Sequence, residues 1–357
     1  MTKRSLRLAL DHKRVLIIGG TGSLGKVLTS RLLSGFYGRP RRITVMSRDE
    51  AKHHDMRVSF HNMAMASEDI IYKDNQSLLS FRVGCVRDIS AVRMVLRDVD
   101  VVFNAAALKQ VPSCEYYPSE AIDTNILGPR NIIRAIIEES LPVEAVIGIS
   151  TDKACHPVNV MGMTKALQER LFIAANTETS KTRFGVARYG NVLATRGSVI
   201  PLFHAQITNG GPLTITEPTM TRYLLTLTDA ADTIVSAYAF GERGDTFIPR
   251  APAARIETLA KVLIGDRPIR IKYTGIRPGE KIHETLVAED EAVRTVERDG
   301  HYVIRSSLPE LAGPVETPAL TLPYSSDLDL MDEAALAALL TRSGLRVEDK
   351  PNFAAMY

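Results

Sequence analysis

Tryptophan is absent from this chain of 357 residues, and cysteine is rare. The three cysteines, Cys85, Cys114 and Cys155, form no CxxC pair, and their odd number does not suggest a disulfide framework. We therefore expect reduced thiols and no metal site built on cysteine.

Long apolar runs are also missing. None approaches the roughly 20 residues that a membrane-spanning helix needs, and the charged opening MTKRSLRLALDHKR does not fit a secretory signal. These features predict a cytoplasmic protein with no membrane partner.

A dominant charge of one sign is lacking as well, because the formal net charge is only +3 at pH 7. Without long blocks of like charge, the composition gives little support for a nucleic-acid partner. A local basic pocket for a phosphorylated small molecule fits equally well. With 45% apolar and 24% charged residues, the chain is expected to be globular and soluble, with one large domain or two closely joined ones.

What the chain does contain is a regular alternation of β-rich and helical patterns. We expect strands at 14–20, 42–47, 80–86, 100–105, 144–150 and 184–190, and helices near 24–34, 49–63, 90–97, 118–139 and 160–176. This spacing predicts an α/β fold, with a Rossmann-type doubly wound parallel sheet over residues 13–190.

Beyond residue 190, glycine and proline interrupt the alternation. We expect a smaller domain over 191–330, built on the carboxyl edge of the sheet with some segments returning to it. A short helix at 331–341 begins a C-terminal segment that covers 331–357.

The turn after the first predicted strand reads GGTGSLG, residues 19–25. Its glycines permit a tight turn, close approach of a pyrophosphate and close packing of the next helix, whose N-terminus attracts phosphates. An ordinary βα turn is the alternative, and the position of the motif at the first strand argues against it. The motif predicts a dinucleotide site formed by Gly19, Thr21, Gly22, Ser23, Leu24 and Gly25.

Ser47 and Arg48 end the second predicted strand, where an NAD enzyme normally carries an acid for the ribose 2′-hydroxyl. An arginine there can pair with a 2′-phosphate instead. NADP is therefore the expected cofactor in preference to NAD, the alternative being a surface arginine that only solvates the loop.

Small residues follow the fourth predicted strand in NAAALK, where Ala105, Ala106 and Ala107 suit a backbone that lies against the cofactor. Ordinary tight packing at a strand end explains them equally well. Asn125, on the next predicted helix, is a further candidate for the cofactor site, although taken alone it is better explained as a surface amide.

A polar triplet, Thr151, Asp152 and Lys153, follows the fifth predicted strand, at the sheet edge where ligands bind in this architecture. An acid beside a base suits a reaction that removes and delivers protons. Met161 and Lys165 stand four residues apart on one face of the next helix. The alternative is that Asp152 caps a turn, Met161 is core and both lysines are solvated.

Together these residues resemble an extended short-chain dehydrogenase/reductase, and specifically the UDP-N-acetylglucosamine 4,6-dehydratases of bacterial glycan synthesis. The resemblance covers residues 13 to about 290 and rests on GGTGSLG, SRDE, NAAALKQVPSCEYYP, TNILG, STDKA, NVMGMTK, RYGNVLATRGSVIPLF, PLTIT, MTRYLLT and RPGEK. The stretches AALKQVPSCE and FIPRAPAARIETLA are most similar to the branch that inverts C5.

The resemblance implies oxidation at C4 of the sugar by NADP⁺, loss of water across C5 and C6, and return of the hydride to C6. Asp152 is then the acid for the C6 hydroxyl. Lys153 is the base for the C4 hydroxyl and the C5 proton, which requires its pKa to fall from about 10.4. Lys165 stays charged and holds the nicotinamide ribose, while Thr151 hydrogen-bonds the sugar. Met161 stands in place of a tyrosine acid/base, so the proton work is expected at residue 153.

Substrate contacts are implied in the same way. Asn191 faces the sugar or its phosphate, the segment around Val199 meets uracil, Arg222 and Arg277 clamp the diphosphate, Glu280 takes the uridine ribose, and Lys109 lies near cofactor and sugar.

Two departures from the family pattern are notable. GCVRD replaces GDVRD, so Cys85, with Val86 beside it, stands where an aspartate is expected to accept from adenine. His156 lies close to the triplet, where it is either a proton relay or a structural histidine.

Two other functions stay open. A UDP-sugar 4-epimerase shares the fold and the C4 oxidation but returns the hydride to C4, and the pair Asp152 and Lys153 favours elimination. A non-catalytic NADP-binding sensor would explain Met161 and Cys85 but does not need the two arginines for a diphosphate. The family also implies a homo-oligomer.

Overall fold

The computed structural model describes residues 6–65, 78–195, 197–351 and 353. Its strands are β1 (Arg14–Ile18), β2 (Arg42–Ser47), β3 (Leu79–Val83), β4 (Val101–Asn104), β5 (Ala145–Thr151), β6 (Arg183–Tyr189), β7 (Leu213–Ile215), β8 (Thr221–Tyr223), β9 (Thr246–Pro249), β10 (Ala253–Arg255), β11 (Ile271–Tyr273), β12 (Thr285–Val287), β13 (Thr295–Arg298), β14 (His301–Ile304) and β15 (Tyr324–Ser325). All six strands predicted before residue 190 are present.

The α-helices are α1 (Ser23–Leu33), α2 (Glu50–Met65), α3 (Ile89–Leu96), α4 (Val111–Tyr116), α5 (Pro118–Ile122), α6 (Gly128–Glu138), α7 (Val160–Glu178), α8 (Val199–Thr208), α9 (Leu227–Phe240), α10 (Ile256–Ile264), α11 (Glu289–Ala292) and α12 (Glu333–Arg342). The single helix expected over 118–139 is divided by a π-helical segment, Asp123–Leu127, between α5 and α6. Such segments are rare and often occur at functional sites.

Nine strands form the central sheet, in the order β13-β14-β9-β6-β5-β4-β1-β2-β3. The seven strands from β9 to β3 run parallel, and the hairpin of β13 and β14 is antiparallel at the edge. The prediction of a Rossmann-type α/β fold is confirmed.

Both faces of the sheet are buried, which explains the continuous apolar run of β1. Val15 and Ile17 belong to one core cluster, while Leu16 and Ile18 belong to the cluster on the other side. Side chains alternate across a strand, so a strand covered on both faces reads as uniformly apolar.

A third core cluster lies among α8, α10 and α12, with Ile200, Leu259 and Leu336 at its centre. The strand pairs β7-β11, β8-β10 and β12-β15 belong to the part of the chain beyond residue 190. Strands β9, β13 and β14 come from the same part but join the central sheet. The limits proposed for the three domains remain predictions. Among the described residues, no helix combines the length and apolarity needed to cross a bilayer.

Candidate active site

The glycine-rich turn joins β1 to α1 in a conformation that excludes larger residues. Gly19 has φ +77°, and a Cβ atom there would lie 2.6 Å from the backbone nitrogen of Ala106. A Cβ on Gly25 would collide with the carbonyl of Gly20, whereas Gly22 is open on that side, with only the Gly19 oxygen at 3.5 Å. This turn therefore keeps β1, β4 and α1 close together.

The exposed N-terminus of α1 completes a cradle for a pyrophosphate. Gly22 is the N-cap and supplies no side-chain hydrogen bond to the first turn. Thr21 is buried, and Ser23 and Leu24 are half-buried beside it. Free N–H groups at a helix start attract anions, so the residues present fit a dinucleotide.

Asn125 lies in the π-helical segment and is fully buried. Its amide accepts from the Leu108 nitrogen at 2.8 Å and donates to the Leu108 carbonyl and to Thr164 Oγ1, each at 3.0 Å. The surface interpretation of Asn125 is wrong, because the π turn directs the side chain inward. It ties the segment after β4, which contains Ala105, Ala106 and Ala107, to α7.

Asn104, at the end of β4, is another buried amide that the sequence prediction omitted. Neither its oxygen nor its nitrogen has a hydrogen-bond partner in the described part of the chain. Buried polar groups are rarely left unsatisfied. Its position beside the glycine turn marks it as a candidate ligand contact.

The ends of β2 and β3 lie side by side in the parallel sheet. Ser47 Oγ is 2.8 Å from Nε2 of the buried His53, and Arg48 is exposed. After β3, Cys85 Sγ accepts from Arg87 Nε at 3.5 Å, and Val86 is buried. These positions suit the adenosine end of a dinucleotide, because β2 follows the glycine turn and α1 along the chain and pairs with β1 in the sheet.

The polar triplet forms the centre of a compact cluster at the carboxyl end of β5. Thr151 Oγ1 donates to Asp152 Oδ1 at 2.8 Å, and Lys153 Nζ lies 3.1 Å from the same oxygen. Lys153 Nζ is also 3.2 Å from Glu284 Oε1. One lysine is therefore held between two carboxyl groups, and both acids are buried.

Glu284 was missed by the sequence prediction. Glu284 lies four residues after Glu280, beyond the RPGEK motif and within the segment HETL. Its identity as an acid was the one signal in the sequence that could have marked it. Arg222 Nε lies 3.8 Å from Glu284 Oε1, and the Arg222 guanidinium donates to the carbonyls of Lys281 and Ile282. Arg222, a predicted diphosphate contact, is thus brought next to the triplet through Glu284.

The pKa of Lys153 is raised. Burial lowers this pKa, but the attraction of Asp152 and Glu284 outweighs the cost of burial. This direction is opposite to the one expected for a base, because the attraction of Asp152 and, to a smaller extent, of Glu284 acts on the amine in addition to burial.

Lys165 shows the opposite behaviour. Burial lowers its pKa to about 8. Its ammonium nitrogen donates to the Ile149 carbonyl and to Gln168 Oε1. A pKa of about 8 still leaves Lys165 mostly charged at pH 7, which is compatible with its expected role at the nicotinamide ribose.

Met161 is buried in a small apolar cluster with Cys114 and Ala121. The next residue, Gly162, lies so close to the Lys153 carbonyl that any Cβ atom would collide with it. Residue 162 therefore sets how closely α7 packs on the triplet, while the Met161 side chain fills a core position.

The remaining substrate candidates occupy separate loops. Asn191 follows β6, and its buried Oδ1 has no partner within the described ranges; Val199 begins α8 and is half-buried. Arg277 is exposed and shares a turn with Glu280, whose Oε2 accepts from the Arg277 nitrogen at 3.4 Å. Asn159 Nδ2 donates to Gly279 O at 2.9 Å, which joins this turn to the start of α7.

Lys109 and His156 are both exposed, and His156 has φ +47°. The roles suggested for them stay predictions.

Fold and site together define an α/β protein with the architecture of the extended short-chain dehydrogenases/reductases. A family model described as "Polysaccharide biosynthesis protein" matches residues 15–306. The chain belongs to this polysaccharide biosynthesis protein family.

Known relatives and structures agree with this membership. A UDP-glucose 4-epimerase from Rickettsia conorii is 45% identical over 297 residues, which cover 82% of each chain. The crystal structure of Pen from Bacillus thuringiensis, 32% identical, has a TM-score of 0.82 and covers 94% of this chain and 99% of its own. The dTDP-glucose 4,6-dehydratase DesIV from Streptomyces venezuelae, solved with NAD and TYD, covers 75% of this chain and 86% of its own. At 19% identity and a TM-score of 0.63, DesIV shows the fold alone.

Proposed function

We propose that this protein is an NADP-dependent 4,6-dehydratase that converts UDP-N-acetylglucosamine to a UDP-2-acetamido-2,6-dideoxy-4-hexulose, with inversion at C5. Family membership and relatives named UDP-glucose 4-epimerases support the broader class, enzymes that modify nucleotide sugars. The observation that carries dehydration is the contact of Lys153 with both Asp152 and Glu284.

The chain offers a group for each part of the cofactor. The glycine turn and the start of α1 hold the pyrophosphate, Ser47 and Arg48 the 2′-phosphate, and Cys85 and Val86 the adenine. Ala105 to Ala107 and Asn125 form the wall beside the nicotinamide, and Lys165 is assigned to its ribose. A dinucleotide held by these residues would supply the hydride acceptor for C4 of the sugar and the hydride donor for C6.

The raised pKa of Lys153 changes how the expected acid and base arise. Transfer of one proton from Lys153 to Asp152, across their 3.1 Å contact, produces a neutral amine and a carboxylic acid together. The amine can then accept a proton from the sugar, while the acid can protonate the departing C6 hydroxyl. Thr151 is assigned to hydrogen-bond the reacting hydroxyl.

Substrate recognition is proposed for the loops around this cluster. Arg222 and Arg277 pair with the diphosphate, because planar guanidinium groups suit phosphate oxygens. Asn191 is assigned to the sugar or its phosphate, and its unpartnered Oδ1, which is an acceptor, suits a sugar hydroxyl. Val199 is assigned to the uracil, Glu280 to the uridine ribose and Lys109 to the region between cofactor and sugar.

A 4-epimerase is the second candidate, and the names of the relatives at 44–45% identity favour it. Epimerisation moves protons only at the C4 oxygen, so it requires one acid/base group. A site that holds one amine between two carboxyl groups has more proton-transfer capacity than epimerisation uses.

The deciding experiment is proton NMR of the protein with UDP-N-acetylglucosamine in D₂O, without and with added NADP⁺, and in parallel with UDP-glucose. Dehydration produces a C6 methyl signal and deuterium at C5, and the couplings of H5 report inversion or retention. A sugar with inverted C4 and no methyl group identifies an epimerase. Unchanged spectra for both sugars, with folded protein and bound cofactor, reject these two substrates and lead to other UDP-sugars. No reaction with any UDP-sugar rejects both functions and favours the sensor.

A further inference from the structure

We propose that Glu284 stores a proton that it exchanges with Lys153. In this way it replaces the proton-exchanging side chain that is lost when methionine occupies position 161. This inference rests on the proposed dehydration. Glu284 contacts Lys153 directly and is therefore a positioning residue for it, with a second task in the proton balance of the reaction.

Proton counting shows the need for such a store. Oxidation releases one proton from the C4 hydroxyl, and elimination releases a second from C5 before C5 is protonated again. One proton leaves with the C6 hydroxyl as water, and one must stay on the protein until C5 receives it. A tyrosine at 161 could take part in this exchange, but a thioether has no proton to give or accept.

Two carboxyl groups on one lysine balance these transfers. Lys153 first passes its proton to Asp152, and the neutral amine then accepts the C4 hydroxyl proton as the hydride leaves C4. A second transfer, from Lys153 to Glu284 across 3.2 Å, frees the amine again.

The amine next removes the C5 proton, while Asp152 protonates the C6 hydroxyl and the C6–O bond breaks. After the hydride returns to C6, Lys153 protonates C5 and takes back the proton from Glu284. All three groups then regain their starting state, and the net loss from the sugar is one water molecule.

The surroundings of Glu284 suit this task. Its side chain is 2% exposed, and in the described part of the protein its Oε2 has no hydrogen-bond partner and is open to a proton. The Glu284 nitrogen donates to Ser326 Oγ at 2.9 Å, and Ser326 Oγ lies 2.7 Å from Thr221 Oγ1. The Ser326 nitrogen donates to the Glu284 carbonyl at 2.8 Å. The backbone of Glu284 is therefore held from both sides, which keeps the carboxyl group within reach of Lys153.

The test compares Glu284→Gln with Glu289→Gln, an exposed glutamate outside the cluster. Glutamine keeps the size of Glu284 and an oxygen that accepts from Lys153, but it cannot store a proton. We expect Glu284→Gln to lose about 100-fold or more in kcat for methyl formation and for deuterium entry at C5, within the range for acid–base groups. Glu289→Gln should match the wild type.

The pH profile separates proton storage from a purely structural role. The charged groups around Lys153 are Asp152, Glu284 and Arg222, with His283 hydrogen-bonded to Thr221 nearby. Removing the Glu284 charge removes an attraction that raises the Lys153 pKa, so the limb of the profile that reports Lys153 should move to lower pH. Glu284→Asp keeps a carboxyl group and should recover part of the lost rate.

Each outcome has a distinct meaning. Wild-type activity with a wild-type pH profile in Glu284→Gln would overturn this inference but not the proposed dehydration. A loss of activity with an unmoved pH profile would have the same meaning. If Glu284→Gln does not fold, Glu284→Asp is compared with Glu284→Ala. The inference requires the aspartate variant, which keeps a carboxyl group, to have the higher kcat, and equal kcat in the two variants overturns it. A wild type that forms no methyl product with any UDP-sugar removes the proposed function and this inference with it.

Discussion

Lys153 Nζ lies 3.1 Å from Oδ1 of its sequence neighbour Asp152, and both are held at the carboxyl end of β5. Adjacent residues on an extended strand point to opposite faces. The 3₁₀ turn Asp152–Ala154 removes this alternation and lets the two side chains meet. The acid–base pair therefore depends on β5 ending at Thr151.

Asp152→Asn should reduce kcat by about 100-fold to 10,000-fold, the usual range for a lost acid–base group. The amide cannot protonate the C6 hydroxyl, and it removes one of the attractions that raise the Lys153 pKa. Steady-state rates of methyl formation test this, with cofactor binding measured in parallel. A variant with wild-type kcat would remove Asp152 from the mechanism.

Met161→Leu should keep kcat and its pH profile close to those of the wild type. Residue 161 fills an apolar cluster and has no proton to move, and exchanges that conserve volume in a core usually cost less than about 1.5 kcal/mol. Activity and urea unfolding check the two parts of this prediction. A large fall in kcat with unchanged stability would give the thioether a role in the reaction.

The substitution Lys165→Met should change the free energy of unfolding more favourably at pH 7 than at pH 10, when each value is compared with the wild type at the same pH. The folded pKa of Lys165 is about 8, below the ordinary 10.5. Below pH 8 the wild type therefore carries the full free-energy cost of a buried, charged Lys165, about 3 kcal/mol at most. This cost disappears as pH rises toward 10.5. Urea unfolding of both proteins at the two pH values measures this change. A difference in stability that does not vary with pH contradicts the lowered pKa.

Arg48→Ala should weaken NADP⁺ binding by more than NAD⁺ binding, because the arginine is proposed to pair with the 2′-phosphate alone. Titration calorimetry with both cofactors gives the ratio of affinities. Arg41→Ala, at an exposed arginine before β2, is the matched control and should leave that ratio unchanged. Equal losses for both cofactors would place Arg48 away from the 2′ position.

Arg188→Met should destabilise the protein by about 3–5 kcal/mol, the usual result of removing one partner from a buried ion pair. Arg188 is buried and pairs with Glu169 on α7 and Glu291 on α11, and it also donates to the Leu286 carbonyl in β12. Removing it leaves two buried acids without their cation. Thermal and urea unfolding test this, and the triple variant Arg188→Met, Glu169→Gln, Glu291→Gln should recover much of the loss.

The sheet could be predicted because its information is local. The apolar run of β1, the glycines of the first turn and the spacing of the six β/α units each appear within a few tens of residues. The π turn before α6 could not be predicted, since Asp123–Leu127 reads as ordinary helix and the hydrogen-bond partners of Asn125, which are Leu108 and Thr164, come from other elements of the fold.

The sequence by itself determined the Rossmann-type sheet, the glycine turn and the position of Thr151, Asp152 and Lys153 at a strand end. Tertiary structure alone decided the electrostatics of the site, because Glu284 is distant in the chain from Lys153 but lies 3.2 Å from it in space. Charge attraction depends on distance through the folded protein, so Glu284, 131 positions away in the chain, adds to the attraction by which Asp152 raises the Lys153 pKa against the effect of burial.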